Sequence, residues 1–186
     1  MGRAPHKPIL LLSIIQQLHL RVINSNRIFI TPELLLSFNN NWSMLVETKH
    51  ICNFALPFFH MRSEPFWFLV TKPTMKPKVN KSKSIKSFKN LKETIAFAEI
   101  AKNLFTLLLE PVNRILFIEN LLNDYFPSTK SNFDLNKINT EELKIESQIL
   151  NKKKLQYQIN LRNLRDSLDD DKFEEELFIR GSLFKE

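Results

Sequence analysis

Pro8-Ile9-Leu10-Leu11-Leu12-Ser13-Ile14-Ile15-Gln16-Gln17-Leu18-His19-Leu20 is the stretch from which the fold is read. Pro8 suits the first turn of a helix, where its missing N–H would have no intrahelical acceptor. Ile9 to Leu12, Ile14, Ile15 and Leu18 then give that helix a broad apolar face. The run from Pro8 to Ile15 is closed by two glutamines and is too short to span a bilayer.

Downstream, Asn24-Ser25-Asn26 reads as a turn and Arg27 to Ile30 as a short strand of β-favouring residues. Thr31-Pro32-Glu33 has the form of a helix start, with a capping hydroxyl, a proline at N1 and an acid in the first turn. Leu35, Phe38, Trp42 and Leu45, spaced by three and four, carry that helix to about residue 45. Phe54 to Met61 is apolar but holds Pro57, which predicts an edge strand or extended loop. Arg62-Ser63-Glu64-Pro65 then turns the chain into a partner strand, Phe66 to Val70. Lys72 to Lys92 holds eight lysines and no acid, as a loop or basic arm would. Asn90, with Glu93 three residues on, predicts a capped helix to about Glu110, and Pro111 opens another that closes at Tyr125-Phe126-Pro127. After a linker at 128–140, a long polar helix is expected over 141–168. There Leu143, Leu150, Tyr157 and Leu164 recur every seven residues, but Ser147 and Lys154 interrupt the second seam of a coiled coil. The expected fold class is α+β: a mostly helical domain with a small antiparallel sheet over residues 1–127, then a long helical linker over 128–186.

A chain of 186 residues, 43% of them hydrophobic, can bury a core. Only two glycines speak against phosphate loops and tight hairpins. The lone cysteine, Cys52, excludes a disulfide framework or a cysteine-based zinc site within the chain, and a cytoplasmic setting fits. Net charge is +7 but uneven. Residues 1–130 hold 17 Lys and Arg against 8 Asp and Glu, whereas residues 131–186 hold 10 against 12. A basic domain points to a polyanion, most often nucleic acid, although lysine-rich solubility gives the same count.

Catalytic constellations are missing. His6, His19, His50 and His60 have no metal-ligand spacing, no two carboxylates pair on a common element, and Asp169-Asp170-Asp171 reads as a solvated acidic run. Two clusters stand out instead. Arg3-Ala4-Pro5-His6-Lys7-Pro8 places three polar donors on a proline-bracketed segment at a helix start, a good design for a phosphate contact. Leu56-Pro57-Phe58-Phe59-His60-Met61-Arg62-Ser63 sets His and Arg at the lip of an apolar stretch. Each has a simpler reading when taken alone: an ordinary basic arm, and a core strand with polar residues emerging at its turn.

Taken together, Arg3-Ala4-Pro5-His6-Lys7-Pro8-Ile9-Leu10-Leu11-Leu12 resembles the opening of the sulfur-binding domain of phosphorothioate-sensing, McrA-like HNH endonucleases. Leu56-Pro57-Phe58 with Phe66-Trp67, and the closing Tyr125-Phe126-Pro127, are similar to that domain's later motifs, in the same order over about residues 3–127. Phe178-Ile179-Arg180-Gly181-Ser182-Leu183-Phe184-Lys185 looks like the segment that precedes the nuclease domain in such enzymes. The resemblance implies a module that binds double-stranded DNA, with the sulfur of a phosphorothioate link in a small apolar cavity. His6 and Lys7 would supply its rim and Pro57 its wall, with Leu56 and His60 beside it. Arg3, Arg62 and the arm containing Lys78, Lys81 and Lys83 would hold phosphates. Leu56 stands where many members have Tyr, and His60 where a small residue is common, so a pocket for another modification is the alternative. The chain is expected to bind without cutting and to need no cofactor. The parent protein would be an HNH endonuclease whose nuclease domain, expected beyond Glu186, requires a divalent metal. Two competing readings remain: cleavage through an unrecognised site, and an interaction protein forming a homodimer through 141–168.

Overall fold

In the computed structural model, residues 4–73, 75 and 84–136 are described. The helix read from Pro8 begins two residues earlier, as α1 (His6–His19), and ten of its 14 residues are buried. A helix so nearly apolar all round has to lie at the centre of its domain, and α1 does. Packed around it are α2 (Pro32–Leu45), α3 (Ala55–His60), α5 (Lys102–Leu109) and α6 (Pro111–Tyr125). Its buried polar side chains find partners on α2. Asn41 Nδ2 donates to Ser13 Oγ at 3.1 Å and to Gln16 Oε1 at 3.3 Å, and Gln17 Nε2 donates to Ser37 Oγ. The helix ends on Arg21, whose φ of 58° lies in the left-handed region, while the Val22 N–H closes back on the Gln17 carbonyl at 3.0 Å.

The start of α2 follows its sequence: the Leu34 N–H donates to Thr31 Oγ1 at 3.3 Å, with Pro32 at N1. Two other expectations are overturned. Phe54 to Met61 is neither strand nor loop but α3, continued by a 3-10 turn at Met61–Ser63. Pro57 falls in the first turn of α3, where a missing N–H costs no hydrogen bond. Asn53 Oδ1 accepts the Leu56 N–H there at 3.0 Å. The segment therefore cannot partner Phe66 to Val70.

That partner is β3, a strand inside the region expected to form one helix from Asn90 to Glu110. Ser87, not Asn90, is the cap: its Oγ accepts the Asn90 N–H at 3.4 Å. Helix α4 (Phe88–Thr94) is short and yields to β3 (Ile95–Ile100), after which α5 begins. β3 is the middle of a three-stranded antiparallel sheet, between β1 (Arg27–Ile28) and β2 (Trp67–Thr71). Ala96, Ala98 and Glu99 favour a helix in isolation, but two ladders of hydrogen bonds and one buried face outweigh that preference. Ile28, Trp67, Ala98 and Ile100 are buried, while their neighbours Arg27, Phe68 and Glu99 occupy the opposite face, where Arg27 Nε meets Glu99 Oε1 at 3.2 Å.

Aromatic pairs join sheet to helix and helix to helix. Phe58 meets Trp67 edge-on at 5.3 Å, and Phe38 meets Phe54 likewise at 5.3 Å. Trp67 Nε1 donates to the Phe58 carbonyl at 3.0 Å, which fixes α3 against β2. Residues 128–136, read from sequence as linker, pack onto the domain: buried Thr129 donates to the Leu45 carbonyl at 2.8 Å, and the Asp134 carbonyl accepts from Gln16 Nε2 at 2.7 Å. The helix expected at 141–168 and the segment at 178–185 lie outside the described residues.

Candidate nucleic-acid interface

The first turn of α1, the exposed side of α3 and the last residue of α6 meet at a concavity of about 430 Å³. Its lining is Ala4, His6, Lys7, Pro8, Leu56, Pro57, His60 and Tyr125, and most of the exposed wall is carbon. Two proline rings and Leu56 form apolar walls because each sits at a helix start, where proline and a short approach of backbone are tolerated. The two sequence clusters, some fifty residues apart in the chain, thus become one site. Five residues singled out in the sequence line it: His6, Lys7, Leu56, Pro57 and His60.

Three polar groups form the rim. Lys7 Nζ is 2.5 Å from Glu64 Oε1 and donates to Ser63 Oγ at 3.2 Å. That hydrogen bond, with the lysine charge, holds the Glu64 carboxyl below its ordinary range. His6 Nε2 lies 2.9 Å from the Ile51 carbonyl, which can only accept, so Nε2 carries the proton and Nδ1 is bare in the neutral ring. The His6 ring also rests 4.7 Å from Trp42 and 5.8 Å from His50. Burial lowers the His6 pKa; the Ile51 carbonyl opposes this and His50 adds to it. His60 Nε2 is 2.9 Å from Ser84 Oγ, and its pKa is lowered by burial first, then by Arg62 and Lys7. Near neutral pH these shifts favour the uncharged imidazoles, and among the described lining residues Lys7 is the cation, paired with Glu64.

Arg62 is not brought into the lining. It lies on the 3-10 turn with its guanidinium 4.0 Å over the Phe59 ring. Arg3, Lys78, Lys81 and Lys83 fall outside the described residues. Ala4, Pro8 and Tyr125 line the site although the sequence reading did not place them there. Tyr125 had a signal in the helix-closing triplet, but nothing in the chain said which end of α1 that helix would reach.

Chemically, the site offers an apolar bowl for a soft or poorly hydrated group, one ammonium and two neutral imidazoles. Among the described residues no three His, Cys, Asp or Glu side chains gather as a metal site, and no helix is long and apolar enough to cross a membrane. The chain matches no protein-family model and no curated protein.

Proposed function

We propose that the chain is the DNA-binding specificity module of a modification-dependent HNH restriction endonuclease, one that senses phosphorothioate links and in this form binds without cutting. The observation that carries this reading is the convergence of His6, Lys7, Leu56, Pro57 and His60 on one mostly apolar concavity. A phosphate oxygen is small and strongly hydrated. Sulfur in its place is larger, softer and easier to desolvate, so walls made of the Pro8 and Pro57 rings and the Leu56 side chain favour it. The rim supports the same preference. Among the described lining residues His6 and His60 have lowered pKa values and Lys7 is paired with Glu64, so the lining itself adds little attraction for an ordinary phosphate. The basic surplus of residues 1–130 supplies general attraction to the duplex.

The test is binding at physiological salt to two duplexes that differ by one phosphorothioate link. Tighter binding to the sulfur duplex is expected, and Leu56→Glu, a change at a half-buried wall position, is expected to abolish that preference. Equal, salt-sensitive binding to both duplexes would leave a DNA module for a different modification. Failure to bind either would overturn the DNA reading and favour an interaction protein.

A further inference from the structure

The register of the sheet fixes which side chains stand on its face away from the core. Arg27 pairs with Glu99 and Glu99 with Phe68, so these three form one row across the strands. Val70 pairs with Phe97 in the next row on that side. Phe29, the residue after β1, completes this second row, its ring 5.1 Å from that of Phe97. Ile28, Trp67 and Ala98 alternate with them and are buried. The outer face thus carries one phenylalanine on or beside each strand, and Phe29 and Phe68 are 49% and 52% exposed. Arg27 lies among the rings, its guanidinium 5.3 Å from the Phe97 centroid and its Nε 3.2 Å from Glu99 Oε1.

Rings alone would take any apolar partner, and the charges around them decide between partners. Residues 21–30, 66–73 and 92–103, which carry the sheet, hold five basic and two acidic side chains. That surplus attracts a polyanion. A protein surface laid flat here would also strip water from the Arg27–Glu99 pair, whose side chains are 57% and 35% exposed, at a cost that the attraction within the pair scarcely offsets. An unpaired nucleotide strand avoids that cost. Its bases stack on ring and guanidinium faces while its phosphates stay in water beside the basic side chains. A duplex keeps its bases stacked inside, out of a ring's reach. The six side chains of this face include no hydroxyl or amide to engage a ribose 2′-hydroxyl, whereas the methyl group of thymine adds apolar contact with a ring.

We infer that this sheet face binds single-stranded DNA, with bases stacked on Phe29, Phe97 and Phe68 and the backbone held by the surrounding positive charge. The inference does not rest on the concavity, none of whose lining residues belongs to the sheet.

Fluorescence anisotropy with the full chain tests it, using a short labelled oligothymidylate, an oligouridylate and an abasic deoxyribose-phosphate strand, all of one length. Two variants accompany the parent chain. Phe29→Leu/Phe68→Leu keeps apolar bulk but removes the aromatic faces, and Phe29→Tyr/Phe68→Tyr keeps them. Both positions are about half exposed, so melting should stay close to that of the parent. The parent is expected to bind oligothymidylate at least about tenfold more tightly than the abasic strand. The Leu variant should lose at least about tenfold on oligothymidylate with no change on the abasic strand, and the Tyr variant should match the parent. Equal affinity of the parent for oligothymidylate and the abasic strand would overturn the inference, leaving phosphate attraction alone; this arm decides even if the Leu variant fails to fold. A folded Leu variant that binds oligothymidylate as the parent does would overturn it too. Tighter binding to oligouridylate than to oligothymidylate would overturn the assignment to DNA. A parent that sediments as a dimer which the Leu variant does not form would show a second copy on this face, and the inference would fail.

Discussion

Glu64→Gln should weaken the fold slightly and tighten DNA binding, two effects of opposite sign from one substitution. In the folded chain the Glu64 carboxylate sits 2.5 Å from Lys7 Nζ, with the two side chains 35% and 38% exposed. At that exposure water screens the pair, and its net contribution is about 0.5 kcal/mol. For a chain of this size the loss corresponds to about 1–2 °C in melting temperature. Gln keeps an acceptor for Lys7 and removes only the charge. The ammonium at the rim is then uncompensated and free to neutralise a phosphate. One additional phosphate contact steepens the dependence of log K on log salt by about 0.9. At physiological salt the affinity for an unmodified duplex should rise about three- to tenfold, the scale of a single charge-assisted hydrogen bond partly offset by desolvation. Preference for a sulfur link should narrow, because the rim would now reward a plain phosphate. Fluorescence anisotropy over a salt series reads both quantities, with thermal melting alongside. An unchanged slope and affinity, in a chain that does bind DNA, would refute Lys7 as the anion contact. Absence of salt-dependent binding in both proteins would instead count against DNA as the partner.

Two further outcomes concern the fold. Arg21 adopts a φ of 58° at the end of α1, where a side chain is a burden and glycine is not; Arg21→Gly should therefore stabilise the chain by about 1 kcal/mol in chemical denaturation, and a loss of stability would contradict the assigned helix ending. His6 and His60 have lowered pKa values in the folded chain, so below the ordinary value of 6.5 the unfolded chain takes up more protons than the folded one. Their contribution is complete above 6.5 and lost as pH falls, so the melting temperature should drop between about pH 7 and pH 5, and a His6→Gln/His60→Gln variant should show a flatter profile there.

How much of this was legible in the sequence depends on whether a segment's neighbours in the chain are also its neighbours in space. Helices α1, α2 and α6 were readable because their apolar spacing and their prolines act locally: Pro8, Pro32 and Pro111 all fall in first turns. β3 was not. Ile95 to Ile100 contains two alanines and a glutamate, and it is a strand because Trp67 and Arg27, from distant parts of the chain, flank it. A proline also misled in one place. Pro57 reads as a strand-edge residue only if the start of the helix is missed, and that start is marked by Asn53 rather than by an apolar period.

The candidate site shows the same division at finer scale. The residue types of its two arms were visible as clusters, and α1 and α3 bring them face to face because α3 is a helix packed on α1 rather than a strand leading away from it. The error about α3 thus bears on the chemistry. In a strand, Leu56 and Pro57 would point to opposite faces, and only one could have walled the cavity; on the first turn of a helix that packs its other side through Phe58 and Phe59, both can. What the sequence could not convey was balance of charge. Lys7 reads as a free cation in a basic arm, yet the chain returns Glu64 to it from 57 positions away and leaves both histidines neutral. On the proposed reading, a rim so compensated would discriminate between anions by how readily they leave water more than by how much charge they carry, which is the property a reader of sulfur in a field of phosphates would need.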